Sequence, residues 1–199
     1  GRSNATWNRA VYTPLQAAMK HSGIMISLKR PKIPKSDYKA LTAEQRDILL
    51  ANAEGEFQIF LTVLFYCGVR VSEAVSLTWD RVDLKNQVAC FELTKTDADH
   101  WQPLHPKVIV ALANIEHRVG KVFTYKDRHY LRPYLKRLKK VTGIHFHPHM
   151  GRHTFADLLV ERGASVRDLM DAGGWKDQTS AMRYTARRVD RVRKAINEL

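Results

Sequence analysis

Cysteine is nearly missing from the sequence: Cys67 and Cys90 are the two in 199 residues, and they form no CxxC pair. That argues against a disulfide framework or a cysteine-based zinc site and favours a reducing compartment. No apolar stretch reaches the ~18 uninterrupted residues a membrane-spanning helix needs, so no membrane span is expected. Gly1–Ala10 carries no apolar run of the secretory-signal kind. The chain has no internal repeat and no low-complexity tract. Acidic residues are few beside basic ones, 20 Asp plus Glu against 33 Lys plus Arg, and the formal net charge is +13. Such a surplus suits a polyanionic partner, nucleic acid first and an anionic membrane surface second. The hydrophobic fraction of 44% suffices for a core, so the bulk of the chain is not disordered.

What is present divides into three blocks. In 1–26, Asn4 or Thr6 can cap a helix with Trp7, Val11, Leu15 and Met19 at apolar positions. A lone helix cannot bury its own face, so this block reads as the last helix of a truncated upstream domain or as a helix docked on the main one. Residues 27–40 hold Pro31 and Pro34 among lysines and arginines and read as a basic linker. The main domain is 41–199. Thr42 and Gln45 form a capping box, and Phe57–Tyr66 is apolar enough for a buried helix. Val71–Leu77 reads as a short helix. From Trp79 to Leu104 the period changes to that of a small antiparallel meander, with a turn at Lys85-Asn86. Helices are predicted from Pro106 to Arg118 and from Asp127 to Val141, with helical patterns to the end. The expected class is mostly α with a small antiparallel three-stranded sheet.

Four places could carry chemistry. In Gly68-Val69-Arg70-Val71-Ser72-Glu73, an arginine lies between two helices and needs an anionic partner, which could be a ligand or simply Glu73. Lys95 lies near the tip of the meander, where a lysine is ordinarily solvated. In the run His147-Pro148-His149-Met150-Gly151-Arg152-His153, a helix starting near Pro148 puts His149 and Arg152 one turn apart. Imidazole beside guanidinium at an electropositive helix start suits a phosphate. The four histidines 145, 147, 149 and 153 raise zinc, but the spacing is weak for it and Arg152 would repel a cation. Finally, Gly174-Trp175 precedes Tyr184, which follows a short helical pattern, Thr179 to Arg183, and could equally be a packed tyrosine.

In order and spacing, Arg70, Lys95, His149-x-x-Arg152, Trp175 and Tyr184 resemble the set that defines tyrosine recombinases, in particular the catalytic domain of phage-type integrases. The likeness runs from about Leu41 to the end. Thr6-Trp7-Asn8-Arg9 is similar to the last helix of the family's core-binding domain. Two departures stand out: Gly151 replaces a bulky apolar residue before Arg152, and Trp175 stands where many members have histidine.

The resemblance implies DNA cleavage and rejoining through a covalent 3′-phosphotyrosine, with no metal, ATP or other cofactor. Tyr184 would be the nucleophile and His149 its proton acceptor. Arg70 and Arg152 would hold the phosphate oxygens, Lys95 would protonate the leaving 5′-oxygen, Trp175 would donate its indole N–H and pack the site, and Glu73 would orient a neighbour from behind. Lys29, Arg30, Lys32, Lys35, Arg132 and Lys136 are candidate DNA contacts, with Arg137, Lys139 and Lys140 beside them. The implied partners are double-stranded DNA bearing attachment-type sites, other protomers in a synaptic tetramer and accessory DNA-bending proteins; the implied location is a bacterial cytoplasm. Val189, Val192, Ile196 and Leu199 would form one face of a C-terminal helix docked in its own domain or on a neighbour. Two rivals stay open at this point, a non-catalytic helical DNA-binding module and a type IB topoisomerase. A third, a metal-dependent nuclease, requires a metal that this residue set does not call for.

Overall fold

A computed structural model describes residues 3–33, 39–93, 98–175 and 177–197; the side chains of 93, 98 and 186–195 fall outside that description. Lys35 and Lys95 therefore lie outside the described residues. The chain divides into two units, Gly1–Asp37 and Tyr38–Leu199.

In the first unit, helix α1 (Asn4–Trp7) runs through a π-helical stretch, Asn8–Tyr12, into α2 (Thr13–His21). Ser3, rather than Asn4 or Thr6, is the cap: its backbone is extended and its Oγ accepts the Thr6 N–H. The π-helical stretch has a local cause. Pro14 has no N–H to donate, and the Thr13 N–H and hydroxyl both go to the Asn8 carbonyl instead. The following strand of chain folds back on the helix, where Asn8 and Asn4 donate to the carbonyls of Pro31 and Lys32, each at 2.9 Å. None of the unit's described residues is buried; Trp7, Val11 and Leu15 are all exposed.

The second unit starts with α3 (Ala43–Ala51), whose capping box joins Thr42 and Gln45 as the sequence indicates. Helix α4 (Gly55–Cys67) is the centre of the core, with Phe57, Phe60, Leu61, Leu64 and Phe65 all buried. A helix apolar all round must be enclosed on every side. Gly68 ends it at φ 64°, a left-handed conformation, and a Cβ there would stand 2.2 Å from the Phe155 ring. The chain then enters α5 (Val71–Ser76).

The meander is a three-stranded antiparallel sheet in the order β1 (Val82–Asp83), β2 (Val88–Leu93), β3 (Ala98–Pro103), with Cys90 opposite Trp101. Asp83 accepts the Asn86 N–H at 2.8 Å in the first turn. Helix α6 (Pro106–Ala113) stops short of the expected Arg118, because the Arg118 guanidinium turns back to take the carbonyls of Ala113 and Ile115. The next predicted helix is split: a 3-10 turn, Arg128–Leu131, precedes α7 (Arg132–Thr142). Asp127 caps the turn, and Pro133 sits in the first turn of α7, where its lack of an N–H costs nothing.

Three helices complete the unit: α8 (Pro148–Glu161), α9 (Val166–Gly173) and α10 (Gln178–Asn197). Gly151 lets α8 lie close on α4. A Cβ there would meet Leu64 at 3.4 Å, an ordinary contact, so the crossing has room for a methyl but not for a bulky apolar side chain. The mostly helical class with one small antiparallel sheet matches the sequence reading. Among the described residues, no helix is long and apolar enough to cross a membrane.

Candidate active site

Arg70 caps α5 from an extended backbone, and its N–H donates to Glu73 Oε2 at 2.7 Å. Its guanidinium also donates to Glu73 Oε1. Glu73 is 1% exposed while the Arg70 side chain is 41% exposed. The buried carboxylate thus fixes the arginine from behind and leaves the rest of the guanidinium open to solvent. Of the two sequence alternatives for this arginine, the structure shows the pair with Glu73, and the guanidinium's remaining exposure leaves room for a ligand.

Helix α8 starts at Pro148, as the histidine-rich run suggests, and carries His149, Arg152 and His153 in its first turns. Arg152 is 2% exposed. Its Nη1 donates to the Gly68 carbonyl at 2.8 Å, and its Cζ lies 3.9 Å from the Trp175 ring centroid. Its Nη2 has no hydrogen-bond partner among the described residues. Burial, and secondarily the Arg70 charge, pull its pKa down to about 10. It stays cationic at neutral pH, in a place where an uncompensated charge is costly.

Tyr184 and Trp175 are 3% and 7% exposed, with ring centroids 5.5 Å apart. Tyr184 lies within α10 rather than at the end of a short segment. The stretch after it lacks glycine and proline and is rich in arginine, a good helix former, so nothing interrupts the helix. Its hydroxyl is 2.8 Å from Nδ1 of His153. His149 stacks edge-on against His153 at 4.7 Å. In the sequence, His153 belongs to the histidine-rich run around Arg152 and has no assigned role there beyond a weak zinc alternative. The available signal was its i,i+4 spacing from His149, which puts the two rings on one helix face.

Burial is the main cause of every shift here. It raises the Tyr184 phenol, against the opposing pull of Arg152, and lowers His149. It also takes His153 down to about 4, helped by the neighbouring cations. At neutral pH phenol and imidazole therefore meet as an uncharged pair. Among the described residues, no group of three or more His, Cys, Asp or Glu could hold a metal ion.

An open cavity of about 930 Å³ adjoins these groups, its walls including Arg70, His149, Lys126, Arg128 and Arg132. The structure therefore brings Arg70, Glu73, His149, Arg152, Trp175 and Tyr184 into one region of the second unit. Arg132 faces the cavity and Lys136 is exposed on α7. Arg137 is paired with Glu54 at 3.1 Å. In the first unit, Lys29 and Lys32 are exposed and Arg30 donates to Gln16 at 2.7 Å.

Residues 36–191 match the sequence pattern of the phage integrase family. The chain belongs to that family. Tyrosine recombinase XerA of Thermococcus kodakarensis is 30% identical over 217 residues, covering 98% of this chain and 75% of the relative. The catalytic domain of bacteriophage HP1 integrase superposes with a TM-score of 0.64 at 20% identity, covering 75% of this recombinase and 88% of the other chain. The Tn1549 transposon integrase, solved in complex with transposon right end DNA, gives 0.73 at 20% identity, covering 98% and 81%. The recombinase thus has the tyrosine recombinase catalytic fold, and its class of activity is site-specific DNA recombination.

Proposed function

We propose that this recombinase cleaves and rejoins duplex DNA through a 3′-phosphotyrosine formed on Tyr184, without metal or ATP. The observation that carries the reading is the buried Arg152 guanidinium, held by Gly68 and Trp175, with Nη2 unpartnered among the described residues. A DNA phosphate oxygen is the anion such a group is suited to take. Arg70, fixed by Glu73 and open on its other side, takes a second oxygen. As phosphorus becomes five-coordinate, negative charge builds on those oxygens, and both arginines stabilise it more than in the ground state. His149 adds a donor from the cavity wall. Trp175 supports Arg152 from below and donates its indole N–H to the phosphate. Lys95 protonates the departing 5′-oxygen. The covalent ester conserves the energy of the broken bond, so rejoining needs no ATP.

Lys29, Arg30, Lys32, Lys35, Arg132 and Lys136 neutralise flanking phosphates, which makes binding fall steeply with salt. That the Tn1549 neighbour is in complex with transposon end DNA supports duplex DNA as the substrate. The helical stretch of 1–26 is the last helix of a core-binding domain, 27–40 a basic linker and 41–199 the catalytic domain. The exposed Trp7, Val11 and Leu15 support this, since such a face seeks a cover. Recombination takes place between protomers in a synaptic tetramer, assisted by DNA-bending proteins. A library of nicked duplexes of randomised sequence, incubated with the chain in EDTA without ATP, tests the chemistry. The expected product is protein joined to a DNA 3′ end with a free 5′-hydroxyl on the other side of the break; cleavage that depends on a divalent metal and leaves no adduct would contradict it.

A further inference from the structure

We infer that His153 is a further catalytic residue, the group that takes the phenol proton from Tyr184 as the tyrosine attacks. The inference rests on Tyr184 being the nucleophile. The ring nitrogen at hydrogen-bond distance from its hydroxyl, 2.8 Å, is Nδ1 of His153. The pair is held from several sides. The His153 and Tyr184 ring centroids are 5.8 Å apart, Trp175 packs on the tyrosine, and His149 packs edge-on against His153. His149, to which the family resemblance gives the acceptor role, lines the open cavity together with Arg70, and is assigned here to the phosphate proposed to bind there instead. Two histidines one helical turn apart thus divide two tasks, one at the phosphate and one at the nucleophile.

An acceptor must be uncharged and must offer a lone pair toward the donor. Burial keeps His153 uncharged at neutral pH. With the ring proton on Nε2, Nδ1 presents its lone pair to the phenol. Proton transfer is unfavourable while the phenol is raised by burial and the imidazole is surrounded by Arg152, Arg183, His147 and His149. A bound phosphate changes both sides of that balance. Its negative charge offsets the cations that disfavour imidazolium, and bond formation to phosphorus acidifies the phenol. In the step itself the O–H bond of Tyr184 breaks and its proton passes to Nδ1. The phenol oxygen bonds to phosphorus, and the P–O5′ bond breaks. O5′ leaves with the electron pair and is protonated by the general acid assigned above to Lys95. Rejoining runs the same transfers backwards, returning the proton from His153 to the tyrosine.

Two measurements test this. The first is the ¹⁵N spectrum of His153 in the free chain, at neutral pH and without DNA. An unprotonated, hydrogen-bonded Nδ1 and a protonated Nε2 are expected; a proton on Nδ1 makes the ring a donor to the phenol and overturns the inference, whether or not the chain cleaves DNA. The second is single-turnover cleavage of a nicked duplex selected from the randomised library. His153→Asn retains a polar group near the Nδ1 position but cannot take up the proton, and should slow adduct formation about 100-fold or more. Replacing Tyr184 by a fluorotyrosine of lower pKa should recover much of that loss, since a more acidic phenol needs less help. His153→Asn cleaving at the wild-type rate, or a loss that fluorotyrosine does not reduce, contradicts the role. An adduct persisting in Tyr184→Phe would instead remove the nucleophile reading on which the inference stands.

Discussion

Arg152 donates from Nη1 to the carbonyl of Gly68 at 2.8 Å, across a sequence separation of 84 residues. The bond joins the end of the central helix to the helix bearing His149 and His153. It also places the buried arginine beside Arg70, two residues beyond Gly68.

Gly68→Ala should therefore damage fold and site together. The left-handed backbone costs alanine about 1 kcal/mol or more, and the added Cβ collides with Phe155. A total loss of about 2 kcal/mol or more is expected from the urea midpoint, with adduct formation falling further than stability does. A variant as stable as the parent would show that this contact does not govern the turn.

Gly151→Ala should behave oppositely. At 3.4 Å from Leu64 the new methyl makes an ordinary contact, and alanine favours the helix by up to about 1 kcal/mol. Urea unfolding should show unchanged or slightly higher stability. Gly151→Leu must push α8 off α4 and should lose about 1–3 kcal/mol.

Much of this was legible in the sequence, and the misses have particular causes. The order Arg70, His149, Arg152, Trp175, Tyr184 stood out only through the family resemblance, and the structure brings these residues into one region. The capping box at Thr42 and the buried α4 were plain. The tertiary partners were not. That Gly68 gives its carbonyl to Arg152, that Gly151 reflects a close helix crossing, and that His153 meets Tyr184 all depend on packing between distant segments. Helix ends were misjudged where side chains decided them: Arg118 folds back on α6, and Ser3 caps the first helix.

Arg152→Met should separate stability from function. An apolar residue of similar length removes a buried charge that is only partly compensated, so stability should hold or rise, by about 1 kcal/mol at most. Adduct formation should drop about 100-fold or more, as when a preorganised oxyanion donor is removed. Sulfate serves as an independent probe. It should raise the unfolding temperature of the parent more than that of Arg152→Met, and equal shifts would contradict an anion site at this guanidinium.

Stability should decline as pH falls from about 6.5 to about 4. His153 resists protonation down to about 4 in the folded chain, against 6.5 when unperturbed. Across that interval the unfolded chain binds a proton that the folded chain refuses, so unfolding gains. Above 6.5 the ring is neutral in both states and its contribution is level. His147 and His149 are lowered too and act in the same direction. In His153→Gln, thermal unfolding followed against pH should show a shallower decline over this window; an identical profile would show that His153 titrates normally in the folded protein.

Tyr184 is the residue proposed here to become bonded to DNA. The most direct test is to trap the adduct on the selected nicked duplex, digest the protein and sequence the peptide that stays on the DNA 3′ end. The predicted peptide contains Met182-Arg183-Tyr184-Thr185 with the phosphate ester on Tyr184, and Tyr184→Phe, which removes one oxygen at nearly constant volume, yields none. A linkage to any other residue, or an adduct undiminished in Tyr184→Phe, would contradict Tyr184 as the nucleophile.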